Sequence, residues 1–307
     1  MPHSIIIDTD PGIDDAVAIL LALASPELDV LGIVAVAGNL ALAATARNAR
    51  SIAELAGRPD IAVYAGCPRP LGRPRSAAED AHGADGLGDL VLPPPVLPPC
   101  PEHGVFYLID RLRRAAPGSI TLCALGPLTN IAMALVAAPD IAAGVARLVL
   151  MGGASHGSGN VTPAAEFNIY IDPQAAAVVF DSGLPITMVP LDVTEGVRST
   201  PERIAPIRAL GTRSSIAVAE LLGPRQALGK PPMAMHDPCV IACLLAPELF
   251  RWREVNVAIE TQSPLAAGLT VIDWRGVSGR KPNARVIEAV DADGVYRLLA
   301  ERLARLP

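Results

Sequence analysis

The sequence has few aromatic residues and almost no lysine. Phe, Trp and Tyr make up 3% of its 307 residues, and only two of the 25 basic residues, Lys230 and Lys281, are lysines. The formal net charge is −6 at pH 7. Nucleic-acid backbones and anionic membranes are bound through patches of surplus positive charge. The composition therefore argues against both as partners.

Cysteine is also sparse, and its spacing is not that of a disulfide or zinc site. The chain has five cysteines, an odd number, and no CxxC motif. No apolar run reaches the roughly 20 residues that cross a bilayer, and no basic segment precedes the short apolar run at the N-terminus. We therefore expect a cytoplasmic protein without structural zinc and without a membrane span.

Short apolar runs alternate with helical patterns along much of the chain. Hydrophobic residues make up 51% of it and charged residues 18%, which is enough for a large core. Because the apolar runs contain no regular polar positions, they indicate strands buried on both faces of a parallel sheet. The predicted strands are 4–8, 30–37, 61–65, 120–125, 147–151, 186–190, 255–260, 269–274 and 285–289.

These elements predict the α/β fold class. We expect a doubly wound, mostly parallel central sheet flanked by helices, with a more helical C-terminal part after Thr200. No repeat or domain boundary is visible, so we predict a single domain over residues 1–307. Such a sheet binds its ligand at the carboxyl ends of the strands. The residues that follow the apolar runs are therefore the candidates for a functional site.

Four carboxylates follow the first predicted strand within eight residues, in the run DTDPGIDD at positions 8–15. Turn formation and the helix dipole explain one or two acidic residues at a strand-to-helix junction, but not four. Crowded like charges repel each other and resist dehydration unless a cation lies among them. Because oxygen ligands favour calcium or magnesium over zinc, the run predicts a site for a hard divalent cation.

The longer run DTDPGIDDA resembles the signature of the inosine–uridine preferring nucleoside hydrolases, and the likeness extends from Ile5 to about Arg297. Further matching motifs, in the same order, are VAVAGN at 34–39, HGADGLG at 82–88, LCALGPLTNIA at 122–132, LVLMGG at 148–153, GNVTPAAEFNIYIDPQAA at 159–176 and HDP at 236–238. The resemblance implies a Rossmann-like enzyme of nucleoside salvage that hydrolyses the N-ribosidic bond of ribonucleosides. It also implies assembly as a homodimer or homotetramer.

The resemblance further implies calcium as the cofactor. The protein ligands would be Asp10, Asp15, Asp237 and the backbone carbonyl of Leu125, with two ribose hydroxyls and a water completing the set. Asp10 is also implied as the general base that accepts a proton from this water. Because calcium lowers the pKa of a bound water, a carboxylate can then remove the proton.

The same likeness implies residues that contact the two halves of the substrate. Asp14 would bind the ribose 2-hydroxyl, and His236 would protonate the leaving base. The other candidates for the sugar are Asn39, Asn160, Glu166 and Asn168, and those for the base pocket are His82, Met151 and Phe167.

Each of these candidates also has a purely structural interpretation. Asn39 is placed to cap the following helix, and the segment 160–168 also fits a polar loop. Met151 and Phe167 suit a hydrophobic core, and the HDP motif is typical of a helix N-terminus.

Cleavage of an N-ribosidic bond builds positive charge on the ribose ring. Five candidate carboxylates, on Asp10, Asp14, Asp15, Asp237 and Glu166, outnumber the charge of one calcium ion and leave a net charge of about −3 if all are ionised. We hypothesise that this surplus stabilises the cationic transition state preferentially.

One segment departs from the family pattern. Many relatives that accept pyrimidines or inosine have tyrosines before the HDP motif, whereas residues 214–235 contain no aromatic residue here. The preferred base therefore stays open. Two other functions are considered: a haloacid-dehalogenase-like phosphatase, because Asp8 and Asp10 imitate its acidic pair, and a calcium-dependent riboside-binding protein without turnover.

Overall fold

The computed structural model describes residues 2–74, 85–88, 90–156, 158–223 and 232–307. Its strands are β1 (His3–Thr9), β2 (Leu28–Ala35), β3 (Val63–Ala65), β4 (Ile120–Ala124), β5 (Val145–Met151), β6 (Ile186–Val189), β7 (Phe250–Ile259), β8 (Thr270–Asp273) and β9 (Ala284–Val290). They form one sheet in the order β3-β2-β1-β4-β5-β6-β9-β7-β8. All pairs from β3 to β9 are parallel, and β7 runs antiparallel to both β9 and β8. The predicted mostly parallel sheet is confirmed.

Strand β7 begins five residues before the predicted start at residue 255. Residues 251–254 are exposed, yet their backbone pairs with β9. An apolar run marks only the buried part of a strand, so this polar extension gave no signal in the sequence.

Helices cover both faces of the sheet. They are α1 (Ile13–Leu23), α2 (Leu42–Leu55), α3 (Gly104–Arg114), α4 (Thr129–Ala137), α5 (Phe167–Ile171), α6 (Pro173–Phe180), α7 (Leu191–Thr194), α8 (Pro201–Ala209), α9 (Arg213–Leu222), α10 (Pro238–Leu245) and α11 (Ala292–Leu303). Helices α8 to α11 follow Thr200, as predicted, while β7 to β9 complete the same sheet. In the described ranges, no helix has the length and apolarity that a membrane crossing requires.

The core lies in two layers, one on each face of the sheet. In β1, Ile5 and Ile7 belong to the layer formed with α1, and Ile6 belongs to the opposite layer. All three are fully buried, because successive side chains of a strand point to opposite faces. Burial of each isoleucine contributes roughly 1.5–3 kcal/mol. An apolar residue is therefore needed at every position of the strand, which explains the run without alternation.

The strand order reverses at β1. The chain passes from β1 outward to β2 and β3, then returns to β4 on the other side of β1. The carboxyl ends of β1 and β4 consequently flank a crevice, the usual ligand site of a doubly wound sheet. Asp10 follows β1 and Leu125 follows β4, so the topology directs both to this crevice.

A buried carboxylate, that of Asp172, joins three segments beside the sheet. It accepts hydrogen bonds from Thr129 Oγ1 at 2.7 Å, from the backbone N–H of Leu71 at 2.9 Å and from that of Ala175 at 3.1 Å. The residue is fully buried and is the N-cap of α6. Removing this carboxylate would leave three donors without their acceptor.

We predict that Asp172→Ala lowers the free energy of unfolding by about 3 kcal/mol, because hydrogen bonds to a buried charged group are lost and their donors stay buried. Urea denaturation measures this change. Asp181→Ala removes an exposed carboxylate at the other end of α6 and should cost less than about 0.5 kcal/mol. Equal effects of the two substitutions would contradict the prediction.

Candidate active site

Asp10 lies in a tight pocket of backbone at the end of β1. The backbone N–H of Asn39 donates to Asp10 Oδ2 at 2.7 Å, and Asn39 Nδ2 donates to the backbone carbonyl of Asp10 at 3.2 Å. Gly38 and Gly126 face the carboxylate from two sides, and a Cβ on either residue would clash with it. Asp10 Oδ1 is buried and has no hydrogen-bond partner among the described residues. One carboxylate oxygen is thus fixed, and the other is left for a ligand.

Three further carboxylates converge beside Asp10. One oxygen from each of Asp14, Asp15 and Asp237 lies within 4.8 Å of the other two, and all three residues are buried. Asp15 is held by the hydroxyl of Thr9 and by the backbone N–H of Gly12. The first strand, the first helix and the distant HDP motif therefore meet at one point. Asp14, which we assigned to the ribose, is part of this group together with the predicted metal ligands.

The charges of this cluster destabilise each other. Burial raises the pKa of Asp10 well above its ordinary value, and the nearby carboxylates of Asp15 and Asp14 raise it further. Burial likewise raises the pKa of Asp237, and Asp14, Asp15 and Asp10 add to the effect. A cation among the carboxylates would remove this repulsion. The oxygen-only donors and the unpartnered oxygen of Asp10 fit a hard divalent cation.

The predicted carbonyl ligand is linked to two other candidates. Asn168 Nδ2 donates to the carbonyl of Leu125 at 2.7 Å and to that of Met151 at 3.2 Å. These carbonyls lie at the carboxyl ends of β4 and β5. Asn168 thus ties two strand ends together at the edge of the crevice. A carbonyl oxygen has two lone pairs, so that of Leu125 keeps one for a ligand.

Glu166 and Asn160 both cap α5. The carboxylate of Glu166 accepts from the backbone N–H groups of Asn168 at 2.8 Å, Ile169 at 3.2 Å and Gly153 at 2.9 Å. Asn160 Oδ1 accepts from the N–H of Phe167 at 2.9 Å. Phe167 is half-buried, and Met151 is buried with its sulfur near Asn168 Nδ2. These contacts give both caps a structural role, and contact with the sugar remains a prediction.

The charge hypothesis needs one qualification from this geometry. Burial raises the pKa of Glu166 to about 7, and the nearby Asp14 adds to the rise, although three N–H groups oppose it. Full ionisation of Asp10, Asp237 and Glu166 at neutral pH therefore requires a cation to be bound.

His236 precedes Asp237, is half-buried and lies 2.7 Å from a hydroxyl, measured from its Nδ1 to Thr194 Oγ1. The sequence analysis missed Thr194, which follows β6 in a segment with no recognisable motif. It also missed Thr9 and the two glycines beside Asp10, although these residues lie inside the matched motifs. His82 lies outside the described residues.

Comparison with known proteins identifies the family. The model of the inosine-uridine preferring nucleoside hydrolases matches residues 5–297. The chain belongs to this family. It is 48% identical over 308 residues to an uncharacterised protein of Schizosaccharomyces pombe, with 99% of each chain covered. It is 45% identical over 310 residues to the pyrimidine-specific ribonucleoside hydrolase RihA of Citrobacter koseri, again with 99% of each covered.

A solved structure supports the same assignment. The plant nucleoside hydrolase PpNRh1 superposes with a TM-score of 0.90 at 34% identity, covering 99% of each chain. The protein is thus a nucleoside hydrolase, an enzyme that acts on N-glycosyl compounds. The predicted family, fold and reaction are confirmed, and the phosphatase alternative is set aside. The family is metal-dependent in general, and the cluster of Asp14, Asp15 and Asp237 could bind a metal.

We predict that Gly126→Ala lowers kcat by about 100-fold, because its methyl group would displace the carboxylate of Asp10, the predicted general base, and small displacements of a catalytic group are costly. The backbone of Gly126 does not have a positive φ, so alanine fits its conformation. Steady-state kinetics measure the loss, and circular dichroism checks the fold. Gly72→Ala, at an exposed glycine away from Asp10, is the control and should leave kcat unchanged.

We also predict that the metal-free protein loses stability as the pH rises from about 5 to 7. The pKa of Asp8 is raised by burial to about 7, as is that of Glu166, so between their unfolded values and pH 7 the folded state binds more protons than the unfolded state. Stability must then fall as the pH rises from 5 to 7, by roughly 2 kcal/mol for Glu166 alone.

Urea denaturation of chelator-treated protein at pH 5, 6 and 7 tests the sign of this dependence. Glu166→Gln should make the fall shallower, and saturating calcium should reduce it. Metal-free protein that gains stability over the same range would be inconsistent with these carboxylates being buried and unneutralised.

Proposed function

We propose that the protein hydrolyses pyrimidine ribonucleosides, with calcium as its cofactor and Asp10 as the general base. The proposal rests on two features of the crevice at the ends of β1 and β4, where the strand order reverses. Asp10 keeps one buried oxygen that has no partner in the described part of the chain, and one oxygen from each of Asp14, Asp15 and Asp237 lies beside it. Calcium suits this donor set because it accepts a larger and more flexible set of oxygen ligands than magnesium does.

Four groups of this chain would hold the ion: the carboxylates of Asp10, Asp15 and Asp237 and the carbonyl of Leu125. When bound, calcium would supply positive charge and would orient and acidify the attacking water. Asp14, in the same cluster, would accept a hydrogen bond from the ribose 2-hydroxyl. The substrate would therefore complete a site that the protein leaves partly open.

The residues then divide the reaction between them. Asp10 accepts a proton from the water as the water oxygen forms a bond to C1 of the ribose. The bond between C1 and the base breaks, and the base leaves with the bonding electrons. His236 supplies the proton that the departing nitrogen needs. The buried carboxylates favour the positive charge on the ribose, and Asn39, Asn160, Glu166 and Asn168 contact its hydroxyls.

The choice of pyrimidines rests on the relative named pyrimidine-specific, which is 45% identical over 99% of both chains. The absence of aromatic residues from 214–235 bears on how the base is held. Stacking on a base contributes roughly 1–3 kcal/mol in other systems, so a site with no aromatic ring in this segment relies more on hydrogen bonds there. Those bonds would discriminate between pyrimidine and purine edges. Met151, Phe167 and His82 remain the candidates for the surrounding pocket.

The test is a panel of uridine, cytidine, inosine and adenosine incubated with purified protein, with release of free base and ribose measured by chromatography. We expect turnover of the pyrimidine nucleosides, its loss in chelator and its recovery with added calcium. Asp10→Asn should reduce turnover by at least about 100-fold, whereas Asp181→Asn, at an exposed site, should not.

A further substrate, 2-deoxyuridine, should react far more slowly than uridine, because it lacks the hydroxyl that would contact the ion and Asp14. Comparable rates on the two would contradict the proposed ribose contacts. A calcium-loaded protein that binds uridine but releases no base would instead support the binding-protein alternative. Faster release of base from inosine or adenosine than from uridine and cytidine would overturn only the proposed preference for pyrimidines.

The assembly and cellular location belong to the same proposal. Resemblance to the family supports a homodimer or homotetramer, and the odd, scattered cysteines suit the cytoplasm. Light scattering coupled to size-exclusion chromatography would measure the oligomeric state.

A further inference from the structure

Thr194 connects His236 to the scaffold of the sheet. It is fully buried and is the last residue of α7, the short helix that follows β6. Its Oγ1 lies 2.7 Å from His236 Nδ1 and 3.1 Å from the carbonyl oxygen of Leu191, three residues earlier in the same helix.

Both contacts are hydrogen bonds at the same time in only one arrangement of the hydrogens. A threonine hydroxyl carries one hydrogen, and in a helix this hydrogen commonly points to a carbonyl of the preceding turn. Here the hydroxyl donates to Leu191, which leaves its oxygen lone pairs facing His236. In this arrangement Nδ1 carries a proton and donates it to Thr194 Oγ1, whereas in the other tautomer Nδ1 would accept the threonine hydrogen and Leu191 would keep only its backbone donor, Glu195. The opposite ring nitrogen, Nε2, is the one that exchanges a proton with a substrate.

Both ends of this contact are anchored. The backbone N–H of Leu191 donates to the carbonyl of Gly153 at 2.8 Å, and Asp192 accepts from Ser155 and from the backbone N–H of His156. These bonds tie α7 to the loop after β5. On the other side, the N–H of Met235 donates to the carbonyl of Val197 at 2.9 Å, which holds the chain before His236 against the segment after α7.

We propose that Thr194 is a positioning residue that holds His236 with a proton on Nδ1, so that Nε2 delivers the proton to the leaving base. The inference rests on the proposed role of His236. In the step, the bond between C1 and the base nitrogen breaks, the electron pair stays with the base, and the proton on Nε2 passes to the base. The ring becomes neutral and keeps its remaining proton on Nδ1, against Thr194.

The kinetic test compares Thr194→Val and Thr194→Ser in the calcium-loaded enzyme. Valine has the shape of threonine without the hydroxyl, and Leu191 still accepts from the N–H of Glu195 at 2.9 Å. With uridine, we expect Thr194→Val to lower kcat by at least about 10-fold with little change in KM, because the proton donor contributes about 10²–10⁴-fold. Thr194→Ser keeps the hydroxyl and should restore kcat to within about three-fold of the wild type.

A second substrate separates positioning from general damage. The 4-nitrophenyl β-riboside releases a stable anion that needs no proton, so Thr194→Val should hydrolyse it at the wild-type rate. Equal losses on the two substrates, or no loss on either, would overturn the proposal.

His236→Gln serves as the reference for a missing proton donor. If His236→Gln lowers the rate on uridine alone and Thr194→Val does not, the positioning role fails while the proposed function stands. If His236→Gln shows no selectivity, the proposed acid fails.

Nitrogen-15 NMR of the imidazole groups gives a readout that does not depend on turnover. In the wild type, the neutral His236 ring should carry its proton on Nδ1, and Thr194→Val should shift it toward a mixture of the two tautomers. His236→Gln assigns the signal among the five histidines of the chain. A wild-type ring protonated on Nε2 alone would overturn the inference even if the valine variant does not fold.

Discussion

Repulsion among buried carboxylates is the constraint on which the rest of this site depends. Asp10, Asp15 and Asp237 come from two distant parts of the chain, yet the fold brings them together with Asp14 where water is largely excluded. The pKa of Asp10 and that of Asp237 are raised by burial and by their neighbours. A protein that gathers such charges without a cation loses stability, and one that gathers them around a cation forms a binding site.

The scaffold around the carboxylates explains how they are held in place. Backbone and side-chain donors hold Asp10 and Asp15, and two glycines leave room for the Asp10 carboxylate. Asn168 links the ends of β4 and β5, and Glu166 and Asn160 shape the start of α5. Several residues assigned to the substrate therefore also maintain the backbone around it. Substitutions there would change the shape of the site as well as its contacts.

Much of this arrangement could be predicted because its signals are local in the sequence. Continuous apolar runs indicated the parallel strands, and a dense acidic run indicated a cation site. Contacts that depend on long-range packing left no such signal. Thr194 meets His236 across 42 residues, and the polar start of β7 is held on β9 by backbone pairing and by ion pairs of Arg253 with Glu288 and of Glu254 with Arg285. The preferred base left no signal either, because neither periodicity nor spacing encodes how side chains surround a ligand.

The most direct test of the account is calorimetric titration of calcium into metal-free protein, repeated in two buffers with different enthalpies of ionisation. Carboxylates with a raised pKa hold protons that a bound cation must displace. We therefore predict one calcium ion per chain with release of protons at pH 6, and loss of this binding in Asp237→Asn. Calcium binding without proton release, or binding that survives Asp237→Asn, would contradict a cation site built from these carboxylates.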